Sequence, residues 1–499
     1  MSRIRRGDAQ GPYVLAIDIG TSAVRAGLFD RIGRAVPGVE WRQGYAIRTS
    51  ADGASETDPD ALLETVWNGV DGVLHRAGPR AQGIVAVASC TFVGNILGVD
   101  QKGRAVTPLM TYADTRAEVA VEWLRSEFDE AAVHDRCGCH FHSSYLPARL
   151  RWLALTQPAW VHQVKRWISI GEYLELKLFG ATAVSYSVAS WTGLLNRHRL
   201  DWDEQLLAKL PVAKTQLSSL VDIEEGRRGL RPEFAARWPG LRDVPWLPAV
   251  GDGAAANIGS GCTTDSRVAL TMGTTTALRA VSDHSFRHVP EGLWCYRVDR
   301  RRSLPGGALS EGGGLFAWMR STLQLPEAAQ LEKDLAALEP DAHGLTVLPF
   351  LAGERSPGWR GHARATLHGL SVATRPLEIL RAGMEAVAYR VALVFAKLVP
   401  ILPAEPQVIV SGGALQHSAV WPQIITDVLG RPTALSRAPE ASARGAALLA
   451  FEALGMLAEP KDIPDFVEET LEPDAARHAV YCQAVERQQR LYARLVQES

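Results

Sequence analysis

The sequence lacks long apolar runs, and no stretch approaches the roughly 18 consecutive apolar residues typical of a membrane-spanning helix. We therefore expect no membrane partner. The opening residues MSRIRRGDAQGPYV also lack the apolar core of a secretory signal. Together these absences predict a soluble, uncleaved, cytoplasmic chain.

Cysteine and net charge are also sparse. Six cysteines scattered over 499 residues favour reduced thiols in a cytoplasm over a disulfide framework. A net charge of -2 gives no electrostatic reason to expect a nucleic-acid partner. The chain is too long for a single hydrophobic core, so two or more domains are expected.

What is present alternates between strand-like and helix-like segments, which predicts an α/β fold. Apolar residues 14–18 and 23–29 flank Gly20 and predict a β-hairpin with a tight glycine turn. The segment TDPDALLETVW predicts a helix, because it has an aspartate cap, an early proline and apolar residues at helical spacing. LPAVGDGAAANIGSG predicts a strand, a glycine turn around Asp252 and a helix of small residues.

One phrase occurs twice. VLAIDIGTSAVRAGLFD (14–30) and RVALTMGTTTALRAV (267–281) both place Gly-Thr and a small hydroxyl residue between apolar runs. Their glycines, Gly20 and Gly273, are separated by about half of the chain. A repeat with so long a period indicates two related domains that face each other, with a boundary near residues 257–264.

Each glycine turn is a potential phosphate site, because exposed backbone N–H groups and a hydroxyl occur at the same place. Two such turns could clamp a polyphosphate. Asp18, present only in the first copy, could hold Mg²⁺ directly or through water. The alternative is that Asp18 merely caps a turn.

Two other phosphate motifs are less compatible with the sequence. The Walker string Gly-x-x-x-x-Gly-Lys-Ser/Thr is absent. GDGAAA (251–256) matches the dinucleotide fingerprint, but Asp252 would stand where pyrophosphate must lie. No acidic residue ends a following strand at the spacing that ribose recognition requires.

Nine segments, in order, resemble the FGGY family of carbohydrate kinases and extend over roughly residues 12–495. They are DIGTSAVR, TPLMTYADTR, YLPARLRWL, TGLLNRHRLDWDEQLL, GDGAAANIG, MGTTTALR, GERSPGWRGHARATLHGL, SGGALQHSAVWPQIITDVLGRP and EASARGAALLA.

This resemblance implies an actin-like ATPase fold, in which two ribonuclease-H-like domains enclose an interdomain cleft that binds sugar and MgATP. Residues 12–258 would form the sugar-binding domain, 259–458 the nucleotide-binding domain and 459–499 a helical tail packed on the second domain. The expected reaction is ATP-dependent phosphorylation of a sugar or sugar-acid hydroxyl, and a homodimer is possible. The alternative is a catalytically silent, actin-like nucleotide-binding or regulatory protein.

The resemblance also implies site residues. Asp252 matches the catalytic aspartate, which would accept the proton of the attacking hydroxyl. The nucleotide and phosphate residues would be Asp18 (with Mg²⁺), Gly20, Thr21, Ser22, Arg25, Gly273, Thr274, Gly313 (beside Gly314), Gly412, Gly413, Gln416 and His417. The sugar-side residues would be Thr91, Phe92, Asn95, Asp114, Arg116 and His142, in addition to Asp252. Asp114 and Arg116 could instead form an ordinary surface ion pair.

The segment CGCHFH (137–142) resembles a metal cluster, but four ligands within six residues rarely all reach one tetrahedral Zn²⁺. Metal binding, a cleft-lining role for His142 and simple packing of Cys137 and Cys139 remain alternatives.

Three positions depart from the family's pattern. Gly94, in CTFVGN, stands where many relatives carry an imidazole, which leaves the sugar open. Arg149 replaces a common lysine, and Ala386 a common glycine after Glu385. The segments TYADTR, GERSPGW and SGGAL favour a gluconokinase-like member, with xylulokinase-like members next.

Overall fold

We describe a computed structural model that covers residues 10–497, apart from residues 404, 417, 460, 462, 464 and 465. The predicted contact of His417 therefore lies outside the described residues. Within the described ranges, no helix is both long enough and apolar enough to cross a membrane.

The strands are numbered in chain order. They are β1 (Tyr13–Ile19), β2 (Ala23–Phe29), β3 (Trp41–Gly44), β4 (Arg48–Thr49), β5 (Ser55–Thr57), β6 (Ile84–Thr91), β7 (Leu97–Val99), β8 (Leu109–Met110), β9 (Arg166–Ile168), β10 (Ala183–Ser185), β11 (Leu195–Asn196), β12 (Asp201–Trp202), β13 (Ser219–Val221), β14 (Val250–Gly251), β15 (Arg267–Met272), β16 (Thr276–Ala280), β17 (Trp294–Arg297), β18 (Ser303–Leu309), β19 (Thr346–Leu348), β20 (Thr366–His368), β21 (Gln407–Ser411), β22 (Thr433–Ser436) and β23 (Val467–Leu471).

The helices follow the same rule. They are α1 (Pro59–Ala77), α2 (Val119–Glu127), α3 (Glu130–Cys137), α4 (Leu146–Thr156), α5 (Pro158–Gln163), α6 (Ile170–Phe179), α7 (Tyr186–Ser190), α8 (Glu204–Leu207), α9 (Pro232–Arg237), α10 (Asp252–Gly259), α11 (Gly313–Thr322), α12 (Ala328–Ala336), α13 (Pro376–Leu398), α14 (Gly413–Gln416), α15 (Val420–Leu429), α16 (Ala441–Ala453) and α17 (Ala475–Tyr492).

The two large sheets share one strand order. The first is ordered β3-β2-β1-β6-β14, and the second contains the run β18-β16-β15-β21-β22. In both, an antiparallel three-strand meander is followed by two parallel strands. The second sheet is extended by β17 and β23 at its edges. The predicted α/β fold is confirmed, and the repeated phrase forms the first hairpin of each sheet.

Local signals explain where the helices begin and end. The Asp58 carboxylate accepts hydrogen bonds from the N–H groups of residues 60 and 61, which caps α1 as predicted. α6 begins with a capping box formed by Ser169 and Glu172, and it ends at Gly180 in the left-handed conformation. The helix predicted at α1 is confirmed.

Strand β1 is buried on both faces, which explains its continuous apolar sequence. Leu15, Ile17 and Ile19 lie in one core together with residues of α1. Val14 and Ala16 face the opposite side, in a core that contains residues of α16. Because side chains alternate along a strand, one hairpin strand joins the first sheet to both its own helix and a helix from the second half.

The interface between α10 and α16 is unusually close. A Cβ added to Gly259 would lie 1.8 Å from the carbonyl oxygen of Ala441, and one added to Gly445 would lie 1.8 Å from that of Ala255. The buried guanidinium of Arg444 also donates from Nε to the carbonyl oxygen of Gly33 across the interface, at 2.9 Å. Contact between the halves therefore requires glycine at both positions.

The second sheet has its own core. Residues of α13, α15 and α17 cover it, and Tyr481 and Ala484 of α17 are fully buried there. The amphipathic helix predicted near the carboxyl end is thus observed over Ala475–Tyr492 and packs on the second sheet's core.

We predict that Gly445→Ala lowers the thermal unfolding midpoint by several degrees. The added methyl must push apart two helices in backbone contact, and overpacking typically costs about 1–3 kcal/mol. Differential scanning calorimetry measures the change. Gly240→Ala is the matched control, because nothing lies within 4 Å of the Cβ it would add. An equal midpoint for Gly445→Ala and Gly240→Ala would contradict the interface described above.

Candidate active site

Two aspartates lie at one edge of the first sheet. Strands β1, β6 and β14 are parallel, and Cys90 on β6 pairs with Asp18 on one side and Val250 on the other. Asp18 and the start of α10 are therefore about two strand spacings apart, roughly 10 Å. Asp252 is the first residue of α10, not part of a glycine turn as the sequence predicted.

Asp18 is almost fully buried beside the first turn, Gly20–Ser22. Arg25 donates from Nη1 to its Oδ2 at 3.0 Å, and the Cys90 thiol lies 3.5 Å from its Oδ1. Burial raises the pKa of Asp18, and the positive charge of Arg25 opposes that effect. The Tyr45 hydroxyl donates to the carbonyl oxygen of Gly20 at 2.7 Å, which anchors the turn.

Asp252 lies at the start of a helix, in surroundings that disfavour the ionised form of its carboxyl group. Its Oδ1 accepts the N–H of Gly253 at 2.7 Å. Burial raises the pKa of Asp252 to about 6; the negative charge of Asp18 adds to the effect, and the positive charge of Arg279 reduces it. This carboxylate is poised to exchange a proton near neutral pH.

The second turn, Gly273–Thr275, is packed against two other glycine segments. The N–H groups of Gly313 and Gly314, at the start of α11, donate to the carbonyls of Gly273 and Thr274 at 2.8 and 2.9 Å. A Cβ on Gly412, after β21, would lie 2.3 Å from the carbonyl oxygen of Met272, and the φ of Gly412 is +106°. The structure thus brings together the predicted residues at 273, 274, 313, 412 and 413, and Gln416 follows on α14.

A cavity of about 120 Å³ opens between the two halves, with Asp252 in its wall. Its lining residues come from both sides of the repeat: Val93, Gly94, Tyr112, Ser144, Tyr145, Trp191 and Asp252 from the first half, and Thr275, Ala277, Arg279, Trp294, Tyr296, Ala308 and Arg355 from the second. The volume suits a small polar molecule held beside Asp252.

Aromatic rings form one wall of this cavity. Tyr296 stacks on Trp191 with ring centroids 3.7 Å apart and on Trp294 at 4.3 Å. The hydroxyl groups of Tyr145 and Tyr296 hydrogen bond to each other. This aromatic cluster makes one wall of the cavity largely apolar, beside the polar groups of the other walls.

Several predicted sugar-side residues do not line the cavity. Thr91 is fully buried next to Gly251, and its hydroxyl has no partner among the described residues. Phe92 is fully buried in the core around α1. The Asn95 amide oxygen accepts the N–H of Ile170 at 2.8 Å, so it braces α6.

Asp114 and Arg116 bind each other beneath the cavity. The Asp114 carboxylate is fully buried and accepts Arg116 Nη2 at 2.6 Å and the N–H of Ser55 at 3.1 Å. Arg116 also donates to Glu56 at 3.1 Å. The pair is buried rather than superficial, and it supports the segment that carries Tyr112 into the cavity.

His142 lies beside the cavity wall. Its ring centroid is 5.5 Å from that of Trp359, and its Nδ1 is 2.9 Å from the Ser144 hydroxyl. Burial, together with the nearby positive charge of Arg355, lowers the pKa of His142 to about 3, so the imidazole is neutral. Its neighbours Ser144 and Tyr145, not His142, line the cavity.

The other residues of segment 137–142 pack separately. The Cys139 thiol faces the carbonyl oxygen of Ser190 at 3.6 Å, and His140 accepts the N–H of Gly292 at Nε2, at 3.0 Å. Among the described residues, the groups of three ligand side chains close enough for one ion are Asp265, Asp283 and His284, and Asp341, His343 and Glu385. Neither group includes this segment.

Sequence reasoning missed Arg279, Arg355 and the aromatic wall. Arg279 could have been found from strand alternation, because Thr275, Ala277 and Arg279 occupy every second position and line the same cavity. Arg355 lies in a quoted segment, GERSPGW, but only packing of distant segments shows where its side chain enters.

Comparison with known proteins agrees with this architecture. Residues 13–259 match the N-terminal domain model of the FGGY family of carbohydrate kinases, and residues 268–454 match its C-terminal domain model. Apulose kinase from Pectobacterium atrosepticum is 31% identical over 491 residues, covering 94% of this chain and 95% of the relative. Gluconokinase from Bacillus subtilis is 26% identical over 469 residues, covering 92% and 91%.

Solved structures show the same fold. A ligand-bound xylulose kinase from Lactobacillus acidophilus superposes with a TM-score of 0.89 at 25% identity, covering 97% of this chain and 98% of its own. A gluconate kinase from the same organism gives a TM-score of 0.89 at 24% identity, with the same coverage. The shared actin-like fold and the two matching domain models agree: this chain belongs to the FGGY family of carbohydrate kinases and is a phosphotransferase that uses ATP to phosphorylate a small carbohydrate.

Proposed function

We propose that Asp252 is the general base of this kinase. The observation that carries the proposal is a carboxylate at the start of α10, in the cavity wall, with its pKa raised to about 6. Asp252 would accept the proton of the substrate hydroxyl as the oxygen bonds to the γ-phosphorus and the bond to ADP breaks. Because such transfers have loose transition states, alignment and charge neutralisation do most of the remaining work.

The two glycine turns would bind the phosphates of ATP. Backbone N–H groups at Gly20–Ser22 and Gly273–Thr275 come from the two halves of the cleft, and glycine lets a phosphate approach closely. Arg25 adds a positive charge beside the first turn. Closure of the two halves would exclude water from the γ-phosphoryl group.

Asp18 would hold the Mg²⁺ that accompanies ATP. Its donor set fits: carboxylate oxygens suit this ion, and Oδ1 has only a weak thiol contact at 3.5 Å. Mg²⁺ would neutralise phosphate charge during transfer. Arg25 fixes the carboxylate through Oδ2 and leaves Oδ1 toward the turn edge.

The nucleotide would lie on the second sheet. The N–H groups of Gly313 and Gly314 hydrogen bond to the second turn. Gly412 packs closely against Met272 of the same hairpin. Without side chains at these positions, the adenosine moiety could approach the backbone closely. Gln416, which is exposed on α14, would contribute a polar group.

The proposed substrate is gluconate or a pentulose such as xylulose. The names of the similar proteins and the size of the cavity, about 120 Å³, support this range.

We also propose a cytoplasmic location, because all six cysteines are free thiols. A domain boundary near 258/259 is supported by α10, which follows the first sheet and ends at Gly259.

We expect Asp252→Asn to reduce kcat by about 10²- to 10⁴-fold, the range that general-base catalysis contributes. ATP affinity should stay within about threefold of the wild type. A coupled ADP-release assay and calorimetric ATP titration measure the two quantities. Asp243→Asn, at an exposed position outside the site, is the control. Near-normal turnover in Asp252→Asn would refute the assignment, and ATP binding without turnover by the wild type on any sugar tested would favour the silent alternative.

The pH profile should follow Asp252. Its base form is lost as the pH falls through about 6, so kcat/KM for the sugar should decline about tenfold per pH unit below that value. Glu172 is a useful control, because burial raises its pKa to about 7 within α6, away from the cavity wall. In Glu172→Gln, kcat/KM should still decline as the pH falls below about 6. Loss of this decline in Glu172→Gln would contradict the prediction.

Asp18→Asn should raise the Mg²⁺ concentration for half-maximal activity by about tenfold or more, because a neutral amide is a poorer ligand for a hard cation. Steady-state rates over a Mg²⁺ titration at fixed ATP provide the measurement. Asp243→Asn, at an exposed position outside the site, is the control. An unchanged Mg²⁺ requirement in Asp18→Asn would show that another group holds the ion.

A further inference from the structure

Two arginines enter the cavity without a hydrogen bond or ion-pair contact to a carboxylate among the described residues, and Arg279 has only the longer-range attraction of Asp252. Arg279 on β16 and Arg355 after β19 both line the wall that contains Asp252. The Nε atom of each is buried and has no hydrogen-bond partner, and neither forms an ion pair with a carboxylate among the described residues. Burial of an unpaired charge is costly, so these guanidinium groups require an explanation.

Other arginines with a buried, unpartnered Nε are compensated differently. Arg390 and Arg431 form ion pairs with glutamates through their other nitrogens. Arg151 lies 4.3 Å above the centroid of a tryptophan ring. Only Arg279 and Arg355, within the described part of the chain, combine an unpartnered Nε with a place in the cavity wall.

The two groups are held by different neighbours within one cavity wall. Arg279 packs on the first turn of α10, where a Cβ added to Gly253 would lie 3.1 Å from its Cζ. The Cζ of Arg355 is 5.9 Å from the ring centroid of Trp359. Each arginine raises the positive potential felt by the other, and the charge of Arg355 lowers the pKa of Arg279 in addition to the larger effect of burial. An anion between them would relieve this repulsion.

Residues of the cavity wall also carry buried hydrogen-bond donors without partners, beside acceptors such as Asp252. Four buried side-chain atoms of its wall lack partners: the Nε atoms of Arg279 and Arg355 and the Nε1 atoms of Trp191 and Trp294. All four can donate and none can accept. A neutral polyol offers hydroxyls that both donate and accept, whereas a carboxylate only accepts. The cavity therefore favours a ligand that carries a carboxylate.

We propose that Arg279 and Arg355 together bind the carboxylate of an open-chain sugar acid, and that this kinase acts on polyhydroxy carboxylates rather than on neutral ketoses or polyols. This inference rests on the proposed function, in which Asp252 faces the hydroxyl that is phosphorylated. Arginine suits the task because its planar fork matches a carboxylate and its charge persists when buried.

The first test compares substrates that differ only in charge. We expect kcat/KM for gluconate to exceed that for glucitol, which has CH₂OH in place of the carboxylate, by at least about 100-fold. Charged hydrogen bonds contribute enough for that difference. Xylulose should also be a poor substrate. Higher kcat/KM for glucitol or xylulose than for gluconate would overturn the proposal.

Arginine variants then assign the effect to residues. Arg355→Met should lower kcat/KM for gluconate at least about tenfold and change that for glucitol by less than about threefold. Arg279→Met should lower kcat/KM for gluconate at least about tenfold more than that for glucitol, because its effect on the Asp252 carboxylate is common to both substrates. Arg355→Lys should recover part of the loss, because charge remains without the fork. Arg360→Met is the matched control, on the same loop but in the wall of a neighbouring cavity. Equal losses for gluconate and glucitol would show that the arginines serve phosphoryl transfer instead.

Equilibrium binding separates this inference from the proposed function. Asp252→Asn, titrated calorimetrically, should bind gluconate, and Asp252→Asn with Arg355→Met should bind it at least tenfold more weakly while its ATP affinity and thermal midpoint persist. Turnover by Asp252→Asn would refute the general base without affecting this comparison. Equal gluconate affinity in the two proteins would refute the carboxylate site even if Asp252 is the base.

Discussion

The backbone contact between α10 and α16 sets the geometry of everything else in the cleft. α10 begins with Asp252 directly after the first sheet, and α16 follows β22 of the second sheet. Because Gly259 and Gly445 leave no space for a side chain, the helices have one close separation available. The position of Asp252 relative to the second turn is therefore tied to a contact made by glycines of α10 and α16.

The repeat is one of topology, and its functional residues differ between copies. Aligning Gly20 with Gly273 places Thr271 where the first copy has Asp18. The Thr271 hydroxyl is 3.2 Å from that of Ser411 on the neighbouring strand, so this position belongs to the sheet. A carboxylate there would add a second negative charge beside a turn that we propose binds phosphate. A single carboxylate is enough for the one metal ion that we propose. The second turn can then bind phosphate through its backbone N–H groups alone.

Local patterns predicted the fold well, because hairpins and helices here follow from nearby residues. Gly20, the Asp58 cap and the Gly180 terminus each act within a few positions of the chain. The site was less predictable. Phe92 and Asn95 immediately precede or follow cavity-lining positions, yet one faces a core and the other binds α6. Sequence order cannot decide which of several adjacent side chains faces the cleft, since that depends on the register of segments far apart in the chain.

The electrostatics of the cleft support the role of general base proposed for Asp252. Burial and the charge of Asp18 favour its protonated form, whereas Arg279 favours the carboxylate, and the balance leaves a pKa of about 6. A base with the ordinary pKa of an aspartate would be a weaker proton acceptor, and one raised much further would be protonated in the cell. An arginine on the second sheet thus adjusts an acid on the first. This coupling operates only when the glycine contact holds the two halves together.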